Sequence, residues 1–120
     1  MLMLPKAVRI YLATQPTDLR RGFDGLAAKV VEQGLDLYSG HLFVFLSKDR
    51  TKVKILTWDR GGFVLWYKRF ERGCIKRPQA IGQANMELDA GQLHLLLEGI
   101  DLHKVKRIKG WEPPGVAASH

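Results

Sequence analysis

The spacing of apolar and polar positions divides the first third of the chain into an extended segment and a helix. An apolar run over Val8–Ala13 that includes β-branched residues predicts a strand, and this strand ends at Thr14-Gln15-Pro16. Pro16 disfavours helix at the residue before it, so a following helix begins after Pro16. Thr17 is a favourable N-cap and Gly34 a favourable residue just past a helix end, which predicts a helix between them. The apolar stripe of this helix consists of Leu19, Phe23, Leu26, Ala27, Val30 and Val31.

Three strand-like runs follow, joined by short polar or glycine-containing links. They cover Leu42–Ser47, Lys52–Trp58 and Phe63–Phe70. The links are short enough for hairpins, which favours antiparallel pairing of sequential strands. In the middle run Lys52 and Lys54 share one face, and Lys68 is expected to neighbour them across the hairpin. The outer two runs are apolar on both faces, which is typical of strands covered from two sides.

A second helix is predicted near the end of the chain, over Ala90–Glu98. Asp89 is its N-cap, Gln92 occupies the capping-box position, and Gly99 ends it. The fold class that we expect is therefore α+β, with a mostly antiparallel sheet of about four strands and two principal helices. Residues 1–110 are expected to form this single domain, and residues 111–120 a flexible tail.

The composition is that of a soluble protein. Of the 120 residues, 46% are hydrophobic and 26% are charged. The single cysteine, Cys74, excludes a disulfide within the chain, which favours a reducing compartment. No apolar run approaches the roughly 18 residues of a membrane span. We therefore expect a cytoplasmic protein that has no contact with membranes.

The net charge of +7 originates in one stretch, residues 48–77. This stretch contains ten Lys/Arg and three acidic residues, whereas the two signs balance over the rest of the chain. Concentrated positive charge raises the local potential and attracts polyanions more strongly than the same charge spread evenly. Nucleic acid is therefore the first partner to consider.

Aromatic residues are interleaved with these charges, and two roles are open to them. Exposed rings stack on unpaired bases or wedge between base steps, whereas rings in paired strands usually belong to the core. We expect Trp66 and Phe70 to be core residues, and we leave both roles open for Trp58 and Tyr67.

Residue types that would support catalysis are sparse. A two-metal nuclease needs several converging carboxylates, but Asp59 is explained as a turn residue and Glu71 is followed by Arg72-Gly73. The four histidines have no ligand spacing, and one cysteine cannot form a zinc site. We therefore expect no catalytic residues, no metal and no cofactor.

Three blocks of sequence resemble a known family. They are Tyr11–Ala13 with Pro16–Leu26, Ser39–Phe45 and Lys54–Gly73, and the ending Leu95–Asp101 also fits. The pattern Trp-Asp-x-x-Gly-Phe…Tyr-Lys-Arg-x-Glu-x-Gly in the third block is specific. Together these blocks resemble the small accessory protein, called TnpB or the second open-reading-frame product, of the bacterial insertion sequence sixty-six family. The resemblance implies a partner in transposition, encoded beside a separate and larger transposase that holds the catalytic acids.

The first functional hypothesis is a non-enzymatic DNA-binding accessory protein that acts at insertion-sequence ends or on the transposase–DNA complex. Its expected phosphate contacts are Lys52, Lys54, Arg60, Lys68, Arg69 and Arg72, followed by Arg20, Arg21 and the basic residues of the segment 104–109. The alternative is a protein-interaction module that docks on the transposase through an exposed apolar patch, with Trp58, Phe63 and Trp111 as its members. A cryptic metal-dependent nuclease is the third hypothesis.

Overall fold

The computed structural model describes residues 7–78 and 82–99, which form five strands and two helices. In chain order the elements are β1 (Ile10–Ala13), α1 (Phe23–Glu32), β2 (Leu42–Leu46), β3 (Lys52–Asp59), β4 (Gly62–Arg69), β5 (Asn85–Leu88) and α2 (Ala90–Leu97). The four strands and both helices expected from the sequence are present. The predicted tail, residues 111–120, and the basic segment 104–109 lie outside the described residues.

The strands form one mixed sheet in the order β4-β3-β2-β1-β5. β1 and β2 are parallel, and the other three pairings are antiparallel. The parallel pair follows from the connection, because α1 carries the chain from the end of β1 back to the start of β2. The expectation of about four mostly antiparallel strands was therefore close, but it lacked one strand and the parallel pair.

A helix covers each face of the sheet, so the alternating residues of the central strands are buried on both sides. On the first face, called here the α1 face, Leu26 and Val30 of α1 pack with Phe43 and Phe45 of β2. On the opposite α2 face, Leu96 of α2 packs with β-strand residues that include Leu12, Val44, Leu46, Val53 and Ile55. The core thus lies in two layers around β1, β2 and β3.

The start of α1 was predicted wrongly. The helix begins at Phe23 instead of directly after Thr17. The Asp18 carboxylate accepts a hydrogen bond from the Arg20 backbone N–H (3.0 Å), and this local turn competes with helix. Gly22 then adopts an extended conformation and becomes the N-cap, without a capping side chain.

The other helix ends follow the sequence prediction. Gly34 has a φ of +75° and donates its N–H to the Val31 carbonyl (2.9 Å), which ends α1 in a left-handed cap. The capping box of α2 is complete: the Gln92 N–H donates to the Asp89 carboxylate (2.7 Å), and the Asp89 N–H donates to the Gln92 side chain (2.9 Å).

β5 was missing from the sequence prediction. It contains four residues, Asn-Met-Glu-Leu, and a run of that length carries little periodicity. Its strand conformation comes from pairing with β1, in which Leu88 lies opposite Ile10 and Met86 opposite Leu12. Those contacts join residues more than seventy positions apart. A pattern within a short stretch of sequence cannot indicate them.

β4 lies at an edge of the sheet, and most of its side chains are exposed. The expectation that both its faces are covered was wrong, because Val64, Leu65 and Tyr67 are 48%, 37% and 48% exposed. Trp66, expected in the core, is 41% exposed. Phe70, just past the strand, packs against the α2-face core as expected.

Candidate nucleic-acid interface

Two segments meet at the end of the sheet where the β2–β3 turn lies. The segment that follows β4 folds onto this turn: the Phe70 N–H donates to the Thr51 carbonyl (2.6 Å), and the Ile75 N–H donates to the Arg50 carbonyl (2.7 Å). The Ile75 side chain is completely buried in the α2-face core. Residues 48–52 and 69–77 therefore form one continuous surface, called here the basic end.

The basic end concentrates the charge of the chain. Its cationic residues are Lys48, Arg50, Lys52, Arg69, Arg72, Lys76 and Arg77, and its acidic residues are Asp49 and Glu71. The excess of five positive charges accounts for most of the net charge of +7. The fold thus brings together charges that the sequence spreads over thirty residues.

Four of these cations are exposed and form no ion pair with any described residue: Lys48, Arg50, Arg72 and Lys76. The side chains of Lys48, Arg50 and Arg72 form no hydrogen bond and no ion pair with any residue that the structure describes. The Lys76 ammonium has one weak partner, the Cys74 sulfur at 3.8 Å. Because no carboxylate in the described part of the chain pairs with them, these groups can approach a polyanion without first breaking an ion pair there.

Arg77 has a structural role at the same end. Its guanidinium donates to the Thr14 carbonyl (3.3 Å) and to the Ser47 carbonyl (3.2 Å). Burial lowers the pKa of Arg77 from its ordinary value. Since Thr14 and Ser47 follow β1 and β2 directly, Arg77 ties together the ends of the parallel pair.

Two of the lysines expected to contact DNA have partners within the protein. The Lys54 ammonium donates to the Leu19 carbonyl (2.8 Å), and the Lys68 ammonium donates to the Leu97 carbonyl at the end of α2 (2.8 Å). Lys68 lies opposite Val53, so it is on the α2 face, whereas Lys54 is on the α1 face. The expectation that Lys68 neighbours Lys52 and Lys54 on one face was therefore wrong.

Three further expected contacts are held by carboxylates. Arg20 donates to Asp18 (2.9 and 3.0 Å), and Arg69 donates to Glu71 (2.8 and 3.0 Å). Hydrogen bonds from Arg20 lower the pKa of Asp18 to about 2, so this carboxylate stays charged in neutral solution. The Lys52 ammonium lies 3.8 Å from an Asp49 oxygen.

The remaining expected contacts are separated from one another. Arg60 lies in the β3–β4 turn, at the opposite end of the sheet from the basic end, 3.7 Å from Asp59. Arg21 is exposed, and its side-chain stem packs beside Gly25 of α1. Of the eight residues expected from the sequence, Lys52, Arg69 and Arg72 belong to the basic end.

A groove of about 1180 Å³ adjoins the basic end on the α1 face. One wall is the segment 16–20, and the other consists of the β2–β3 turn and strands β3 and β4. Lys48, Lys52, Lys54 and Arg20 line it together with Asp18, Asp49, Leu65 and Tyr67. This basic groove therefore combines cations with an aromatic side chain.

A separate aromatic cluster lies away from the basic end. The Trp58 ring is 4.9 Å from the Phe63 ring and 5.2 Å from the Tyr38 ring, and Phe23 of α1 is 4.7 Å from Phe63. These contacts join α1 to the β3–β4 hairpin. They give Trp58 and Phe63 a packing role, whereas Trp111 lies outside the described residues.

A family model with the description IS66 Orf2 like protein matches residues 8–107. The chain belongs to this family. Two relatives from Sinorhizobium fredii (strain NBRC 101917 / NGR234) carry the names Uncharacterized protein y4jC and Uncharacterized protein y4hO. The first is 35% identical over 113 residues, which cover 93% of this chain and 96% of the relative. The second is 38% identical over 117 residues, which cover 95% and 99%. No solved structure gives a significant match.

Membership of the IS66 Orf2 family confirms the resemblance seen in the sequence and associates the chain with transposition of insertion sequences. Among the residues that the structure describes, no group of three or more His, Cys, Asp or Glu side chains could hold a metal ion. Neither described helix is long and apolar enough to cross a membrane.

Lys48, Arg50 and Lys76 of this IS66 Orf2-like protein were not among the phosphate contacts expected from the sequence. The expected contacts included cations on the predicted strands, such as Lys52 and Lys68, together with the turn residue Arg60. The signal that was available is local: Lys48 and Arg50 lie in the short link between two strands, where side chains are usually exposed.

Proposed function

We propose that this IS66 Orf2-like protein is a non-enzymatic accessory factor of transposition that binds DNA through its basic end. The observation that supports the proposal is the group of exposed cations Lys48, Arg50, Arg72 and Lys76, which form no ion pair with any described residue and lie on two segments that pack against each other. Their role is to contact phosphates. Such contacts supply affinity and fix orientation, and they do not by themselves read base sequence.

The support beneath these cations favours binding over a merely solvated surface. Ile75 is buried, and the Arg50 carbonyl is bonded to its N–H, so the two charged segments hold a fixed relative position. Charges that are already in place lose less conformational freedom when a partner binds. The carboxylates of Asp49 and Glu71 are engaged by neighbouring donors, which reduces their repulsion of phosphates.

The proposal gives the chemistry of transposition to a separate transposase. Family membership supports a role beside that enzyme, and the protein's own contribution is to bring DNA and transposase together. A gel-shift comparison of insertion-sequence ends with random duplex, each with and without the transposase, tests this division of roles. If the protein alone shifts both DNAs equally, and prefers insertion-sequence ends only when the transposase is present, sequence recognition belongs to the transposase.

Two variants with equal net charge test the location of the DNA contact. The first changes Arg50, Arg72 and Lys76 to glutamine, and its control changes Arg9, Lys29 and Arg60 to glutamine. We expect the first variant to lose at least tenfold in affinity for duplex DNA, since phosphate contacts are lost, and the control to lose much less. Equal losses would mean that net charge alone governs binding, and no binding by the wild type at low salt would refute the proposal.

The exposed edge of β4 supports a second function, docking of the transposase by strand addition. The two-residue hairpin closed by Asp59 and Gly62 leaves the backbone N–H and C=O groups of Phe63, Leu65 and Tyr67 directed away from β3. An extended segment of a partner can pair with such an edge. Leu65→Pro removes the central donor and should abolish pull-down by the transposase without DNA, whereas the triple glutamine variant of the basic end should preserve it. Unchanged pull-down by Leu65→Pro would exclude the β4 edge.

A further inference from the structure

We propose that the basic groove binds unpaired nucleotides of DNA, with a base stacked on Tyr67 and the adjoining phosphates at Lys48 and Lys52. This inference rests on the proposed function, because the groove continues the surface of the basic end. It adds a second mode of contact, to bases that have left the duplex. Cationic grooves with exposed aromatic rings bind single strands in this way, since every base presents a face for stacking.

Tyr67 has the exposure and the support that stacking requires. The residue is 48% exposed and lies on the α1 face of β4, where it lines the groove. Its cross-strand neighbour is Lys54, whose ammonium lies 5.6 Å from the centre of the ring. Because that ammonium also donates to the Leu19 carbonyl, it links the ring to the opposite wall of the groove.

The size and lining of the groove suit a chain of nucleotides. Ligand pockets usually measure about 300–1,000 Å³, and this groove of about 1180 Å³ lies above that range. Pro16, Leu19 and Leu65 supply apolar surface beside the ring, and Lys48 and Lys52 lie toward the basic end. A base therefore meets apolar and aromatic surface while its phosphates meet ammonium groups.

The two carboxylates of the groove are already occupied. Asp18 accepts both hydrogen bonds of the Arg20 guanidinium, and Asp49 accepts from the Ser47 hydroxyl (2.7 Å) and the Thr51 hydroxyl (2.8 Å). They order the walls, and their charge is outnumbered by the four cations of the groove. An anionic ligand with a flat apolar group matches this lining better than a purely acidic peptide does.

Three probes and three variants test the inference. The probes are a blunt duplex, the same duplex with a short oligothymidine overhang, and a polyglutamate peptide, each labelled for fluorescence anisotropy. Tyr67→Ala removes the stacking ring, Tyr67→Phe preserves it, and Trp66→Ala is the matched control, because Trp66 is similarly exposed on the other face of β4.

We expect the duplex with the overhang to bind more tightly than the blunt duplex. Tyr67→Ala should lower the affinity for the overhang duplex by at least about fivefold. Tyr67→Phe and Trp66→Ala should preserve that affinity, and none of the three should alter binding of the blunt duplex. A 5-iodouracil in the overhang should photo-crosslink to residue 67, as located by mass spectrometry.

Other outcomes separate this inference from the proposed function. The groove proposal is overturned if the blunt duplex binds and the overhang does not increase the affinity. It is also overturned if Tyr67→Ala and Trp66→Ala reduce the affinity for the overhang duplex equally. In both cases DNA binding by the basic end stands. If polyglutamate binds, Tyr67→Ala weakens it, and the overhang has no effect, the groove belongs to an acidic protein segment. Absence of binding by both DNA probes at low salt would overturn both proposals.

Discussion

Lys68 and Arg69 are adjacent cations, and the structure gives them different roles. The Lys68 ammonium donates to the Leu97 carbonyl at 2.8 Å and lies 4.7 Å from the centre of the Phe70 ring. Lys68→Met removes the charge and retains the apolar stem. Arg69→Gln also removes one charge, but the Arg69–Glu71 pair is well exposed, with side-chain exposures of 58% and 75%.

The expected loss of stability follows from these contacts. A hydrogen bond from a charged group contributes about 1.5–3 kcal/mol, and a cation at a helix C-terminus contributes about 0.3–1 kcal/mol more. Because Lys68 is half-buried, solvent screens part of this interaction, and we expect Lys68→Met to cost about 1.5 kcal/mol. This corresponds to a melting temperature lower by roughly 6–8 °C. Arg69→Gln should leave the free energy of unfolding close to that of the wild type, because exposed ion pairs are weak.

Urea denaturation followed by tryptophan fluorescence measures both free energies, and anisotropy with duplex DNA measures affinity. Lys68→Met should bind DNA as the wild type does under conditions where it is folded. The reasoning would be refuted if Lys68→Met kept wild-type stability while losing DNA affinity, because Lys68 would then contact DNA instead of α2.

Three further outcomes are expected from single changes. With four phosphates engaged, the logarithm of the DNA association constant should fall with the logarithm of salt concentration with a slope of about −3.6, and Arg72→Gln should reduce that slope by about 0.9. Arg60→Gln should leave the slope unchanged, and an equal reduction by both variants would argue against a localised contact. Hydrogen bonds from Ser47 and Thr51 hold the pKa of Asp49 below its ordinary value of 3.8, so the stability that this carboxylate contributes is present above about pH 4 and lost as the pH falls further. The free energy of unfolding, measured as the pH is lowered, should show that loss in the wild type and a smaller loss in Asp49→Asn. An identical pH dependence in the two proteins would exclude this contribution of Asp49. Gly34→Ala should destabilise the protein by roughly 1 kcal/mol in thermal unfolding, because at a φ of +75° the added Cβ lies too close to the following carbonyl, and an unchanged melting temperature would contradict the strain argument.

Local patterns were sufficient to predict most of the helices and strands. The continuous apolar run of β2, the alternation of β3 and the capping box of α2 are short-range features, and the structure follows them. The start of α1 was misplaced because Asp18 is favourable in the first turn of a helix and equally favourable in the turn that it actually forms. The parallel pairing of β1 with β2 was readable from the intervening helix, whereas β5 depends on pairing with a distant strand.

The candidate site was harder to predict, because charge in the sequence does not show which cations are occupied. Lys54 and Lys68 lie in the most basic stretch, but each is bonded to a backbone carbonyl of another segment. Arg60 is adjacent in sequence to the charged strands, but the hairpin carries it to the far end of the sheet. Only the folded chain distinguishes these residues from Arg50 and Arg72.

The position of β4 explains why the aromatic residues were misjudged. An apolar run such as Phe-Val-Leu-Trp-Tyr is typical of a buried strand, and so Trp66 was expected in the core. Its place at the sheet edge leaves it 41% exposed. Exposed apolar surface of this kind is a feature of interaction sites, and it directs attention to Tyr67 in the groove and to the strand edge.

The location of DNA on the surface is the central claim, and backbone amide NMR tests it most directly. Titration of the labelled protein with a short duplex at low salt should shift the resonances of residues 48–52 and 69–77, with small changes around Arg60 and along α1. Shifts confined to β4 or to the Arg60 turn, or no shifts at all, would contradict the assignment of the basic end as the DNA-binding surface.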